Sequence, residues 1–120
     1  MVVSGGLGGV MAAAMAGAAD AGGLTVALLP GDQRTANATV AIPTGMGELR
    51  NGLLIRSADA VIAVGGSWGT LSEIALARRT GVPVIVLGGW QVHDADGVPM
   101  ELRVAATPQA AVDYALSAGP

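Results

Sequence analysis

The sequence predicts an α/β protein with a parallel sheet, and two observations carry this prediction. Short apolar runs rich in Val, Ile and Leu alternate with longer segments that fit helices, as in sheets with crossover helices. Nineteen glycines and only 2% aromatic residues imply tight strand-to-helix turns around an aliphatic core. No repeat, linker or low-complexity tract divides residues 1–120, so we expect a single domain.

The elements follow from apolar runs and from the glycines and prolines that bound them. The predicted strands are a short one at 1–3 and longer ones at 24–29, 39–42, 60–64, 83–87 and 102–105. The predicted helices are 10–21, 48–57, 70–79 and 108–116, the first ended by Gly22-Gly23, the third by Gly81, and the last capped by Thr107. Ligands of parallel sheets bind at the carboxyl ends of strands, where both glycine-rich turns fall.

Composition excludes several functions. Six Lys and Arg and a net charge of −3 provide no basic surface for nucleic acid. The absence of cysteine excludes disulfides, thiol catalysis and thiolate metal sites. No apolar run or leader suggests a membrane or secretory segment, so we expect a soluble, cytoplasmic protein. His93 stands near Asp94, Asp96 and Glu101 without metal-ligand spacing, so a solvated loop and no metal site are expected.

The strongest candidate site is the turn that runs from Gly65 to Glu73. Glycines let the backbone approach a ligand, and the first N–H groups of the following helix point at an anion, so Gly65, Gly66, Ser67, Gly69 and Thr70 are candidate phosphate-binding residues. Thr70-x-x-Glu73 also fits a purely structural capping box. In the functional interpretation Glu73 acts on a phosphosugar as acid, base or cation stabiliser.

The earlier turn, Ser4 to Gly9, is a weaker signal because it lacks the third glycine of a dinucleotide fingerprint. Gly6, Gly8 and Gly9 are its candidate binding residues. Asp32, just after the next strand, stands where an acid could bind a ribose, although turn chemistry explains it equally well.

A third segment places Arg50 and Asn51 at the start of a predicted helix. The planar guanidinium of Arg50 could clamp a phosphate or sugar; the alternative is a solvated surface charge. Trp68 could stack on a base, or else cover the helix start or contact a second copy.

Together these segments resemble the lonely-guy superfamily of Rossmann-like proteins, which includes cytokinin-nucleotide phosphoribohydrolases, chains mislabelled as lysine decarboxylases, and molybdenum-cofactor carriers. Residues 4–11 resemble the family's first glycine motif, and residues 65–73 resemble Pro-Gly-Gly-x-Gly-Thr-x-x-Glu. The resemblance implies a three-layer fold, a parallel sheet flanked by helices. In the hydrolase branch the arginine and glutamate matching Arg50 and Glu73 are implicated in cleaving nucleoside 5′-monophosphates to base and ribose 5-phosphate, so the resemblance assigns these two residues as catalytic.

Departures from the hydrolase pattern favour binding over catalysis. Gly65 and Ser67 stand where the hydrolases have Pro and Gly, and Asn51 stands where they have Lys. The pattern is closer to the carrier-like branch, whose members bind a phosphorylated cofactor without known turnover. We therefore expect binding of a nucleoside monophosphate, a molybdopterin-type cofactor or another phosphorylated ligand, with no cofactor required; the alternatives are a phosphoribohydrolase and a truncated inactive or regulatory remnant.

Relatives in the resembled family carry a further strand and helix before the first glycine turn, whereas three residues precede it here. A sheet lacking that strand exposes an edge. We therefore expect an N-terminally truncated fold, which is either a fragment with a misplaced start codon or a protein that covers the edge as a homodimer or higher oligomer.

Overall fold

The computed structural model describes residues 1–34 and 37–118. Its strands are β1 (Val2–Ser4), β2 (Thr25–Leu29), β3 (Val40–Pro43), β4 (Val61–Val64), β5 (Val84–Leu87) and β6 (Arg103–Val104). Its α-helices are α1 (Val10–Asp20), α2 (Asn51–Arg56), α3 (Trp68–Thr80) and α4 (Pro108–Ala118), with a 3-10 turn at Gly47–Arg50. The chain divides into two compact units, Met1–Leu54 and Ile55–Pro120.

The first unit contains a parallel sheet in the order β1-β2-β3, with Val3 opposite Val26 and Ala27 opposite Ala41. The central strand β2 is the most buried, and its Ala27 and Leu29 pack with Met15 of α1. Burial of these side chains fixes α1 against the sheet. The turn that follows β1 therefore lies against β2, where Gly6 approaches Ala27 and Leu29.

Helix α1 ends just before Gly22 and Gly23, as the sequence predicts. Gly22 has a φ of +79°, a left-handed conformation that a residue without Cβ adopts readily. The N–H of Gly22 donates to the carbonyl of Ala19 at 2.9 Å, and the N–H of Gly23 donates to that of Ala18 at 2.8 Å. The last carbonyls of α1 are satisfied in this way, which confirms the predicted helix end.

The second unit contains a parallel sheet in the order β4-β5-β6. In its principal core Ile55 packs with buried side chains of α3, β4 and β5. These are Ala63, Ile74, Ala77, Val84 and Val86. A second cluster, formed by Ile85, Ala105 and Ala111, packs α4 against β5. Helix α4 begins as predicted, because the Thr107 hydroxyl accepts from the Ala110 N–H at 3.1 Å.

Two predicted helices differ from the structure. Helix α3 begins at Trp68 rather than at Thr70. The helix predicted at 48–57 is divided into the 3-10 turn and the short α2. In the described chain the strands pair as two three-stranded parallel sheets, with β1 and β4 each at the edge of its own sheet. The α/β class with parallel strands is confirmed.

Over the ranges 1–34 and 37–118, none of the helices combines the length and the apolar character that crossing a bilayer requires.

Candidate functional site

The second glycine turn connects β4 to α3 through Gly65, Gly66 and Ser67. Ser67 is extended, with φ −71° and ψ 159°, and its Oγ accepts the Thr70 N–H at 3.1 Å. Ser67 is therefore the N-cap, and the predicted capping box of Thr70 with Glu73 is wrong. The Thr70 N–H donates to Ser67, and Glu73 lies further along α3, where it is half-buried.

The start of α3 has the electrostatic character of an anion site. In an α-helix the first N–H groups have no carbonyl one turn earlier, and here Trp68 and Gly69 occupy those positions. The helix is 13 residues long and carries no acidic residue in its first turn. Its dipole therefore places positive potential at the turn. The hydroxyls of Ser67 and Thr70, whose oxygens are 2.8 Å apart, provide further polar groups.

This turn packs backbone to backbone against the loop that follows β5. The Gly65 N–H donates to the Leu87 carbonyl at 3.3 Å. Gly89 has a φ of +83°, and a Cβ placed there would overlap the Gly65 carbonyl. A Cβ at Gly66 would lie 3.6 Å from the Gly89 Cα. Glycine at position 89 is thus required by the close approach of the two loops.

Trp90 fixes the same turn through its side chain. Its indole Nε1–H donates to the Ser67 carbonyl at 2.8 Å. Its ring lies 5.0 Å from that of Trp68, centroid to centroid, at an interplanar angle of 45°. Trp90 is half-buried, whereas Trp68 is 78% exposed. Sequence reasoning did not identify this role of Trp90; the rarity of aromatic residues was the one signal that could have drawn attention to it.

The first glycine turn is buried at Ser4 and Gly5 and open to solvent from Leu7 to Gly9. The Gly6 N–H donates to Ser4 Oγ at 3.1 Å, and Gly6 has a φ of +75°. Gly9 precedes α1, which has no side-chain cap, and a Cβ at Gly8 or Gly9 would meet nothing within 4 Å. Asp32 is exposed in a separate turn. The N-terminus of α1 is thus accessible at the predicted glycines.

Arg50 lies against this first turn and is only 7% exposed. Its Nε donates to the Leu28 carbonyl at 2.9 Å, its Nη1 to that of Gly47 at 2.9 Å, and its Nη2 to that of Gly5 at 3.3 Å. The interpretation of Arg50 as a solvated surface charge is therefore wrong. The guanidinium joins the end of β2, the first glycine turn and the 3-10 turn. Asn51 follows at the start of α2 and is half-buried.

An open groove of about 660 Å³ adjoins the same turn in the first unit. Gly6 and Gly8 line one end, and the face of α1 that carries Met15 lines one side. Its polar lining includes Thr25 and Thr39. The groove therefore combines an apolar helix face with the hydroxyls of Thr25 and Thr39, whose oxygens are 3.3 Å apart.

The His93 segment forms a short hairpin. His93 makes an antiparallel bridge with Pro99, and Asp94 Oδ1 accepts the N–H groups of Asp96 and Val98, each at 2.9 Å. Asp94 thus has a turn-forming role. Within the described ranges, no group of three or more His, Cys, Asp or Glu side chains is arranged to hold a metal ion.

A family model described as the SLOG cluster4 family matches residues 1–112. The chain belongs to the SLOG cluster4 family. A relative from Archaeoglobus fulgidus, described as an uncharacterized protein, is 43% identical over 119 residues, which span 98% of this chain and 75% of that protein.

Two solved structures are similar to this SLOG cluster4 chain. The molybdenum cofactor binding protein of the phototrophic bacterium Rippkaea orientalis is 34% identical, with a TM-score of 0.82 over 97% of this chain and 76% of that one. The molybdenum cofactor carrier protein of Chlamydomonas reinhardtii is 32% identical, with a TM-score of 0.79 over 97% and 76% of the two chains. The Rossmann-like α/β fold is thereby confirmed.

Proposed function

We propose that this SLOG cluster4 protein binds a phosphorylated heterocyclic cofactor of the molybdenum-cofactor type. The observation that carries the proposal is its similarity, over 97% of its length, to two proteins described as binding or carrying that cofactor. The glycine turn before α3 supports the proposal, because it combines an N-terminal helix dipole with closely approaching backbone.

In this proposal the phosphate lies on the N-terminus of α3. Gly66 and Gly69 let it approach the backbone. The hydroxyls of Ser67 and Thr70 hydrogen-bond to each other, which leaves one hydroxyl hydrogen of the pair to donate to the phosphate oxygens. Gly65 shapes the turn through its left-handed φ of +79°. The Thr70 N–H already donates to Ser67 Oγ, so the backbone donors that we assign to the phosphate belong to Trp68 and Gly69.

In the first unit we propose that Gly6, Gly8 and Gly9 form an anion-binding turn assisted by Arg50 and Asn51. The support is the buried charge of Arg50, whose three hydrogen-bond acceptors within the described chain are neutral carbonyls. Each terminal guanidinium nitrogen carries a second hydrogen, so an anion at this turn would supply the missing negative charge.

Binding can be tested without disturbing the helix by Ser67→Asp. Aspartate is an equally good N-cap, so α3 keeps its cap, while the added charge repels phosphate. By calorimetry we expect the parent to bind a metal-free phosphorylated pterin, and Ser67→Asp to weaken binding at least tenfold, or about 1.4 kcal/mol. Thr107→Asp is the matched control, because Thr107 caps α4 by the same contact outside the proposed site. No binding by the parent, or equal losses in both variants, would contradict the proposal.

The alternative function is hydrolysis of a nucleoside 5′-monophosphate, with Glu73 and Arg50 as the catalytic residues. The observation that supports it is the half-buried position of Glu73 on the helix that begins at the proposed phosphate site. A carboxylate there could stabilise the positive charge that develops on the sugar. Release of ribose 5-phosphate from AMP or N6-substituted AMP by the parent, and its loss in Glu73→Gln, would establish this activity. Cofactor binding without release would favour the carrier function.

We further propose that the protein acts in the cytoplasm as a homodimer or higher oligomer. The edge position of β1 supports self-association, because an edge strand presents unpaired backbone groups. Static light scattering across a concentration series measures the mass directly. A monomer that binds the phosphorylated pterin would refute the oligomer.

A further inference from the structure

Trp68 presents a large aromatic surface beside the proposed phosphate site. It is the first residue of α3, directly after the cap Ser67, and it is 78% exposed. Tryptophan is among the side chains that gain most from burial, so an indole left open is available for a contact that the isolated chain does not make.

The indole of Trp68 contacts a neighbouring aromatic ring, that of Trp90. Trp90 lies 5.0 Å away at 45°, and the hydrogen bond from Trp90 Nε1 to the Ser67 carbonyl ties that ring to the turn. A tilted aromatic pair of this kind favours the observed orientation of the Trp68 ring. A planar ring can therefore stack on the exposed surface of an indole that is already ordered, at low entropic cost.

We propose that Trp68 stacks on the heterocycle of the phosphorylated ligand and selects ligands that carry a planar ring system over phosphosugars without one. This inference rests on the proposed function, since it takes the phosphate to lie at the start of α3. The phosphate supplies affinity from backbone donors that cannot distinguish one phosphate ester from another. Stacking on Trp68 adds the preference for pterins and purines.

The test compares a ligand that carries a planar heterocycle with a ligand of similar charge that carries none. Trp68→Ala removes the platform, and Trp68→Phe keeps a smaller one; both are titrated by calorimetry with a metal-free phosphorylated pterin and with ribose 5-phosphate. We expect Trp68→Ala to raise the Kd for the pterin by about 5- to 150-fold, the range measured for stacking of a base on an aromatic side chain. The Kd for ribose 5-phosphate should change less than twofold, and Trp68→Phe should retain most of the pterin affinity.

Several results would overturn the inference. Pterin binding by the parent that is unchanged in Trp68→Ala refutes stacking and leaves the proposed function standing. Equal weakening of both ligands shows that Trp68 shapes the phosphate site without selecting a ring. A lower mass of Trp68→Ala in light scattering, with the pterin preference intact, identifies Trp68 as a contact between copies. Binding of neither ligand by the parent refutes the proposed function itself. Circular dichroism and thermal unfolding confirm that each variant folds.

Discussion

Arg50→Met removes the buried cation that joins three parts of the first unit. The guanidinium donates to the carbonyls of Leu28, Gly47 and Gly5, and its bonds to Leu28 and Gly5 are buried. Each buried carbonyl left without a donor costs about 1–3 kcal/mol. Methionine fills a similar length and avoids the cost of burying a charge, which offsets part of this loss. We therefore expect a net loss of about 2–4 kcal/mol in the free energy of unfolding.

Equilibrium unfolding in urea measures this loss, followed by far-ultraviolet circular dichroism. Arg50→Lys should recover less than half of it, because an ammonium on a flexible stem cannot match the planar fork that reaches three carbonyls. Arg34→Met is the matched control, since Arg34 is an exposed arginine of the same unit. Its unfolding free energy should stay within about 0.5 kcal/mol of the parent.

The reasoning fails if Arg50→Met is as stable as Arg34→Met. Such a result would mean that the three carbonyls find water or other donors at no cost, and that Arg50 serves the ligand alone. The binding experiment separates these roles. If Arg50 is structural, Arg50→Met lowers the stability of the protein in the absence of any ligand. If Arg50 serves only the ligand, Arg50→Met lowers the affinity for the phosphorylated pterin and leaves the unfolding curve unchanged.

Three further changes test the second glycine turn by urea unfolding. Gly89→Ala should cost at least about 3 kcal/mol, because the left-handed conformation costs about 1–2 kcal/mol and the new Cβ overlaps the Gly65 carbonyl. Gly97 has a φ of +80° and open space where a Cβ would lie, so Gly97→Ala should lose only the roughly 1–2 kcal/mol that the left-handed conformation costs. Equal losses of unfolding free energy in Gly89→Ala and Gly97→Ala would contradict the packing argument. Ser67→Ala should cost about 1 kcal/mol through loss of the cap, whereas full stability would show that the cap contributes nothing. Trp90→Phe should cost about 1 kcal/mol, because the hydrogen bond from the indole to the Ser67 carbonyl is lost while that from the Leu71 N–H remains; no change would show that water replaces the indole.

Helices and strands whose ends are set by capping residues, glycine or proline could be predicted from the sequence. Gly81 ends α3 in the left-handed conformation, with φ +79°, and Thr107 caps α4 with Pro108 at its first position. These signals act within one helical turn, where the residue types alone determine the backbone geometry. The strands β2, β4 and β5 were equally visible as short apolar runs between turn residues, although Ile62 of β4 is exposed.

Contacts between residues distant in the sequence could not be predicted. The Nη2 of Arg50 reaches the carbonyl of Gly5, 45 residues earlier, and nothing in the local sequence distinguishes this arginine from a surface one. Trp90 reaches the Ser67 carbonyl across 23 residues. Both contacts depend on strand order, which brings loops at the carboxyl ends of strands together. The candidate residues could therefore be named in advance, but their partners could not.

The start of α3 shows how such a contact changes the interpretation of a motif. Ser67 and Thr70 are both capable caps, and Thr70 with Glu73 forms the better local pattern. In the folded chain the turn is held by Trp90 at the Ser67 carbonyl and by Gly89 against Gly65, and the helix begins after Ser67.

The shifted start has a consequence for ligand binding. The hydrolase motif that the sequence resembles has glycine where this chain has Ser67. The serine hydroxyl accepts the Thr70 N–H, which removes one backbone donor from the proposed phosphate site. The same hydroxyl hydrogen-bonds to Thr70 Oγ1 at 2.8 Å, and the pair keeps one hydroxyl hydrogen as a side-chain donor in its place. Ser67→Gly is therefore expected to free the Thr70 N–H, to cost only a few tenths of a kcal/mol in helix capping, and to preserve phosphate affinity. A tenfold loss of phosphorylated pterin binding in Ser67→Gly, measured by calorimetry, would show instead that the freed Thr70 N–H does not replace the contact that the hydroxyls make with the phosphate.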